Sequence, residues 1–535
     1  MLTKKNLGFI SLAAVATCAV IGAADWPSQS GGPQRDAWAR YEKAFTKDNV
    51  SGLDLLYKYQ SDNKSKGLYS LTSPIIDGLL ITYRGFKEML VFGGSSDNVY
   101  SVDADLNKLI WKTHFEYHGD QRESRKASGT CPGGLTASLA MRGSSSAGVS
   151  FGRRPPAPAA NGPAPPALIG EGGMYRGTGA FFAVASDGYL HALNPSTGAD
   201  LVPAVKFLPP NSRSSALNID GNTVYAATSG NCGGHPNALY AVDLGSSDKK
   251  VSSLPTNSNV AGFAGTALGG DGTVYAEMPF EQGATGEAHH RTILALAPLT
   301  LAVKDSFTAE DEPNANKKVE EAGITPLVFS WKGKDLIVAA GSKGRLYLLD
   351  STSLGGPDHR QPLFVTAPIA DAGAFQGGFS SWTDADTGTR WLYASFWGSN
   401  RDAPHGSIVA FKVGTDNGQP TLVPAWTSAD IPSPAATVTA GALVFALSTG
   451  EPTLEVKAKG KPYSLAEIEK AATHATLYVL DGETGKQLYS SGSQVSASSY
   501  GSGLAIANSR IYFGASDNSI YSFGFSKMEP QLTDR

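Results

Sequence analysis

The richest chemistry in this 535-residue chain lies in residues 397–405, which read WGSNRDAPH. The Trp397 indole can stack on a flat ligand, and Arg401 can bind carboxylates. Asn400 and Asp402 offer oxygen to a hard cation such as Ca²⁺, and His405 adds an imidazole. Trp382 and Asp384 lie just upstream. A carboxylate at Asp384 or Asp402 can act as a base that takes a substrate proton. Tryptophan and aspartate are also common packing and turn residues, so these types alone do not define a reaction.

Two cysteines form the second constellation. Cys131 opens a Cys-Pro-Gly-Gly run, and Cys232 sits in the tight polar loop 230–237. The third cysteine, Cys18, falls in the leader described below. Two cysteines left in an exported chain usually pair. Neither CxxC nor CxxCH occurs, so the chain encodes no covalent haem attachment. His289 and His290 suggest a metal by composition only, because neighbours on a strand point to opposite faces. No GxSxG, HExxH, calcium-loop, P-loop or dinucleotide fingerprint is present, and hydrolase and nucleotide readings have no positive support.

The elements that must position these groups are reached through composition and repeats. The chain is 41% hydrophobic and 17% charged, with 61 glycines and 31 prolines, which suits many turns and few long helices. Formal net charge is −4, and it becomes more negative once Lys4 and Lys5 leave with the leader. No basic excess exists to neutralise phosphates, which argues against nucleic acid. Residues 1–24 read as a secretory signal peptide. Lys4-Lys5 starts it, an apolar run over 7–21 follows, and Gly22-Ala23-Ala24 offers the cleavage site. No other run approaches a transmembrane length, so the expectation is a soluble protein in the periplasm or secreted. Residues 25–50 read as a partly ordered arm.

From residue 51 to 525 one unit recurs. The first copy has four short strands near 73–81, 89–93, 98–102 and 109–115. Its relatives are seen at 181–207, 223–254, 273–307, 336–364, 391–426, 443–491 and 511–525. Each holds two inner strands and a turn such as Asp481-Gly482-Glu483-Thr484-Gly485-Lys486. The last copy stops after its third strand, while a lone strand at 53–60 precedes the first. A ring closed by that N-terminal strand explains both and removes the open edge. The expected fold is therefore all-β: an eight-bladed β-propeller of four-stranded antiparallel blades. Seven blades or stacked sandwiches are the alternatives, but spacing of roughly 40–70 residues suits blades. Residues 143–167 are a low-complexity loop, 464–473 a short capped helix inserted in a connection, and 526–535 a tail.

The hairpin at 478–489, with its Leu-Asp-x-x-Thr-Gly-Lys turn, resembles the repeat of the pyrroloquinoline-quinone-type propellers. Echoes are Val102-Asp103 followed by Lys108 and Trp111, and Leu193-Asn194 followed by Thr197-Gly198. Within that superfamily the chain is most similar to polyvinyl-alcohol-dehydrogenase-like proteins. The features in common are Cys131-Pro132-Gly133-Gly134, Cys232-Gly233-Gly234, the run 344–350 and the strand end 424–428. The resemblance implies an exported propeller that oxidises an alcohol, small or polymeric. The quinone would serve as hydride acceptor, with Ca²⁺ beside it and a separate electron acceptor. It departs from well-studied relatives in having no adjacent Cys-Cys pair. The repeat is a packing motif that non-catalytic propellers share, so a scaffold holding a protein or polysaccharide is the alternative.

Blade geometry sorts the loops. Connections from second to third strand, and from fourth strand to the next blade, emerge on one face, and the tight Asp-x-x-x-Gly-Lys turns emerge on the other. The long connections, including 118–134, 230–237, 278–291, 309–323, 367–382, 397–407 and 449–474, belong to the first set. Their funnel is the expected ligand site. Trp382, Trp397, Arg401, Asn400, His405, Cys131 and Cys232 are the candidates for holding a cofactor. Asn400 and Asp402 are those for a metal, and Asp384 and Asp402 those for the base. A Cys131–Cys232 bridge would clamp neighbouring blades.

Overall fold

The computed structural model describes residues 24–82, 85–117, 131, 133–142, 179–256, 258–281, 290–309, 324–341, 343–369, 374–400, 402–452 and 464–526. The leader up to residue 23, the low-complexity segment 143–167, Arg401, His289 and the tail from 527 lie outside the described residues.

Eight antiparallel sheets make an eight-bladed propeller. Blade one runs through Ile75–Thr82, Gly85–Gly94, Asn98–Asp103 and Lys108–His114, paired in chain order. Blades two and four to seven repeat that plan, and blade three does so with its inner strand split into Arg213–Ser214 and Asn218–Asp220. Blade eight combines Ala505–Ala507, Arg510–Ala515 and Ser519–Gly524 with Asp54–Gln60 from the other end of the chain. Asp54 pairs with Gly524 and Gln60 with Ser519, which closes the ring as expected. Blades lie between two neighbours, so their middle strands are buried on both faces. That is why Leu443–Ser448 reads as an apolar run without alternation.

The repeated turns have a packing reason. Trp111, in the outer strand of blade one, donates from Nε1 to the Pro195 carbonyl at 2.7 Å in blade two. A Cβ on Gly198 would come within 2.4 Å of that indole. Trp426 of blade six docks the same way on the blade-seven turn, donating to the Gly482 carbonyl at 2.9 Å. Gly485 there has φ +74° and lies under the ring. The Asp-x-x-Thr-Gly pattern thus marks where a tryptophan of one blade sits on the next. Asp481 accepts from the Glu483 and Thr484 amides and fixes the turn.

The N-terminal arm is more ordered than its sequence suggests. Trp26 and Arg35 are fully buried. The arm circles the channel along the inner strands in blade order. Trp26 exchanges two backbone bonds with Ile76 of blade one, and the Pro27 carbonyl accepts from Met141 of blade two. Pro33 accepts from the Asn218 side chain of blade three and from the Leu268 amide of blade four. Gln34, Asp36 and Ala37 accept from Val328, Ser381 and Thr439 of blades five, six and seven. Glu42 accepts from the Ser509 amide of blade eight. An inner strand has one edge without a partner strand, and the arm satisfies its donors.

The short helix α1, Leu465–Ala471, has the anticipated capping box between Ser464 and Glu467. Among the described residues no helix is long and apolar enough to cross a membrane.

Candidate functional site

The end of the arm reaches the turn face, where Lys47 pairs with Asp481 and Glu483 in the third-to-fourth-strand turn of blade seven. At the other end of the channel, among the described residues, are the connections that carry Tyr69, Phe263 and Tyr500. Arg35 anchors the arm from inside. Its guanidinium donates to the Thr266, Gln29, Leu217 and Ala264 carbonyls and the Ser28 hydroxyl, at 2.6–3.1 Å. Every N–H it carries is thereby used. Burial without a carboxylate partner pulls its pKa down to about 9.

Three aromatic rings meet there. Phe263, in the connection from blade three to blade four, meets Tyr500, in the connection from blade seven to blade eight. Their centroids are 5.6 Å apart, at 82°. Tyr500 in turn meets Tyr69 at 5.2 Å and 81°. Blades four and eight stand opposite each other in the ring, so Phe263 spans the axis. Gly262 and Gly265 flank it with φ +74° and +73°. A Cβ on either would strike Thr325 or Ser215 within 2.4 Å, so the chain there needs glycine to aim the ring inward.

Arg213, in the inner strand of blade three, joins these rings to the cysteines. Its Nη1 donates to the Tyr69 hydroxyl at 3.3 Å and its Nε to Ser229 Oγ at 2.8 Å. Cys131 and Cys232 form a disulfide with Cα atoms 5.4 Å apart. It ties the connection entering blade two to the second-to-third-strand loop of blade three. A Cβ on Gly230 would lie 3.1 Å from Cys232 Sγ and 3.7 Å from the Arg213 guanidinium carbon, so the bridge and the cation are neighbours. Lys66 approaches the same region, 3.2 Å from where a Gly134 Cβ would be. Asp97 lies between blades one and two, accepting from the Ser186 amide and hydroxyl. Burial raises its carboxyl above the usual range, against the pull of Ser186 and Lys66.

The candidate residues of blade six are divided between the two faces. Asp384 lies in the turn between the first and second strands, on the turn face, where Lys47 acts on it. The Thr387 hydroxyl, then the Asp386 amide, hold its carboxyl below the ordinary value. Trp382 is buried in the core with Trp391, Tyr393 and Ile408. Trp397 is half-buried on the loop face, its Nε1 donating to the Pro434 carbonyl at 2.8 Å. Asn400 and Ala403 exchange backbone bonds of 2.9 and 3.0 Å. The Asn400 side chain is buried with no partner for its amide nitrogen, whereas Asp402 is exposed. His405 is exposed and paired with Asp430 at 2.8 Å. Blade six therefore supplies Trp397, Asn400, Asp402 and His405 to the loop face, and keeps Trp382 and Asp384 from it.

Sequence reasoning passed over Tyr69, Arg213, Phe263 and Tyr500. Their signal is weak but physical: Phe263 lies between Gly262 and Gly265, and Tyr500 precedes Gly501, all in connections between blades.

No protein-family model matches the chain, and no curated protein matches it in sequence. Solved structures match it in fold. The quinohemoprotein alcohol dehydrogenase from Comamonas testosteroni aligns over 94% of this chain and 81% of its own, with TM-score 0.53 and 12% identity. One from Pseudomonas putida HK5 aligns over 94% and 80%, with TM-score 0.53 and 12% identity. A europium-containing methanol dehydrogenase aligns over 93% and 89%, with TM-score 0.55 and 12% identity. At that identity the likeness is one of architecture: the chain is a propeller similar in fold to quinone-type alcohol dehydrogenases.

Proposed function

We propose that the chain is an exported oxidoreductase of the quinoprotein type. It would hold pyrroloquinoline quinone in the funnel, oxidise an alcohol there and pass the electrons to a separate acceptor. The observation that carries this reading is the convergence of the Tyr69–Tyr500–Phe263 rings, Arg213 and the Cys131–Cys232 bridge at the closed end of the funnel.

The quinone is flat and carries several carboxylates. Ring surfaces and cations are what it requires, and the tyrosines, Arg213 and Lys66 fit that need. Calcium does not fit as well. Among the described residues no three His, Cys, Asp or Glu side chains converge, and Asn400 and Asp402 differ in exposure. No step is therefore assigned to calcium.

When bound, the quinone supplies a hydride acceptor. The chain's share is to bind, orient and exclude water. Arg213 and Lys66 would hold carboxylates, while the arm that lines the inner strands would limit solvent from below. Asp402 is the carboxylate on the loop face that would take the hydroxyl proton. Asp384 lies beyond the arm and has no such part.

The test is reconstitution of the purified exported protein with the quinone, with and without Ca²⁺. Dye reduction is followed with primary and secondary alcohols and with polyvinyl alcohol. The expected result is quinone-dependent reduction that Arg213→Ala weakens. No quinone binding at micromolar concentration overturns the reading.

A further inference from the structure

A second concavity lies on the loop face, away from the axis, and the quinone reading does not use it. It is a cleft of about 460 Å³ between helix α1 and two connections beside blade eight. That size falls within the range of about 300–1,000 Å³ typical of small-molecule sites.

Its lining has a consistent chemistry. Ser65, Thr473, Ser496 and Ser498 present hydroxyls, Glu469 a carboxylate and His474 an imidazole. Among the described residues no lysine or arginine lines it, and its apolar part is Leu68, two alanines and the Gly67 backbone. The Glu469 carboxylate disfavours anions, and a described lining whose one larger apolar side chain is Leu68 disfavours lipids and steroids. A ligand rich in neutral hydroxyls matches each group, since hydroxyls both donate and accept and a carboxylate accepts from two vicinal ones.

The walls are ordered for this use. Glu469 leans across the cleft, its Oε2 3.9 Å from where a Gly67 Cβ would be. Ser498 Oγ bonds Ser516 Oγ at 3.0 Å, and Ser496 Oγ bonds the Tyr521 hydroxyl at 2.8 Å. Each of those hydroxyls keeps acceptor capacity for a ligand. The helix that brings Glu469 is an insertion with its own capping box, and the blade does not need it for its sheet. Both connections then continue to the axis. One runs from Ser65 in the cleft to Tyr69 in the funnel floor, and the other from Ser496 to Tyr500. The two connections that wall the cleft thus also carry Tyr69 and Tyr500, a pair of aromatic rings of the kind on which sugar rings stack.

We propose that this cleft binds one or two units of a neutral oligosaccharide, with the chain continuing toward Tyr69 and Tyr500. Its far end shares Tyr69 and Tyr500 with the proposed quinone floor, but binding in the cleft is measured without cofactor or turnover.

The experiment is calorimetric titration of the full exported chain with cello-, malto-, xylo-, manno- and chito-tetraoses. At least one should bind. Glu469→Ala and His474→Ala should each weaken it about tenfold or more. Lys470→Ala, on the same helix but outside the cleft, should not. Tyr500→Ala should weaken a tetraose more than the matching disaccharide. The proposal is overturned if none binds at ~10 mM, if Glu469→Ala and His474→Ala both leave affinity unchanged, or if charged oligosaccharides bind tighter than neutral ones. Titration without quinone leaves dye reduction out of the measurement, so the two readings fail separately.

Discussion

Phe263 and Tyr500 meet edge to face across the channel axis, their centroids 5.6 Å apart, although they stand 237 positions apart in the sequence. The contact joins opposite sides of the ring, so it sets the floor of the funnel without holding any single blade together. Phe263 is itself 46% exposed, and removing it sacrifices little core. Phe263→Ala should lower stability by only about 1 kcal/mol. It should weaken quinone binding about tenfold, read by fluorescence quenching during reconstitution. A larger loss of stability than of binding would show that the ring is a structural prop.

Arg35 makes the opposite case, a residue whose role is to hold the arm. Its donors serve four carbonyls and a hydroxyl contributed by the arm and by blades three and four. Arg35→Met would leave these acceptors dry and unpartnered, at a cost of about 3 kcal/mol or more. Arg35→Lys should cost less, because an ammonium retains three donors. Urea midpoints of the three proteins decide it, and a wild-type midpoint for Arg35→Met would refute the anchoring role.

These two residues also show where the sequence was legible. The blade pattern could be read because the middle strands and their turns repeat, and Trp111 and Trp426 must find a glycine in the next blade. The closing strand at Asp54–Gln60 followed from counting strands in the last unit. The inner strands were harder: Ala140–Met141 and Ala267–Leu268 are too short to show any period. The arm was illegible for a related reason. Its bonds are made by backbone carbonyls to inner-strand edges, and such bonds leave no side-chain pattern. The funnel floor comes from connections that do not repeat, so Tyr69, Arg213 and Phe263 could not be ranked above other loop residues. Trp382 and Asp384 drew attention by type, yet strand direction carries one into the core and the other to the turn face.

The disulfide should be a stabiliser first. Cys131 and Cys232 are separated by 101 positions, and closing a loop of that length removes much unfolded-chain entropy. Cys131→Ser with Cys232→Ser should cost about 2–4 kcal/mol. Non-reduced peptide mapping should find the pair joined. Free thiols at both positions in the exported protein would contradict the bridge.

Stability should fall as pH rises from mildly acid to mildly alkaline. Glu88 is buried at the closure between blades one and eight, where Tyr512 and Arg510 contact its carboxylate. Burial outweighs Arg510, which is shared with Asp105, and lifts the Glu88 pKa from 4.5 to about 8. Burial and the nearby Asp25 carboxylate lift Asp77 from 3.8 to about 6. In both cases the folded state holds a proton that the unfolded chain has released. The stabilisation is therefore complete below the unfolded values and is lost as pH climbs through the folded ones. Urea midpoints should decline between about pH 5 and pH 8, and Glu88→Gln should flatten the upper part of that slope. A midpoint that rises with pH in this window would reverse the assignment.

The last prediction concerns the turn glycines, because it separates backbone strain from blade docking. Gly485 and Gly388 both have positive φ, +74° and +70°. A Cβ on Gly388 would meet nothing within 4 Å, whereas one on Gly485 would come within 2.5 Å of the Trp426 ring. Gly388→Ala should therefore cost only the conformational penalty, about 1 kcal/mol. Gly485→Ala should cost that and also displace the indole, which then loses its bond to the Gly482 carbonyl, for about 2–4 kcal/mol in all. If docking is the reason for glycine, the effects of Gly485→Ala and Trp426→Ala overlap. A double-mutant cycle on urea stabilities should then return a coupling of about 1 kcal/mol or more, while Gly388→Ala with Trp426→Ala should be additive. Additivity in both pairs would mean that the turn needs glycine for its own backbone alone, and that the Asp-x-x-Thr-Gly repeat records a turn type and not a contact between blades.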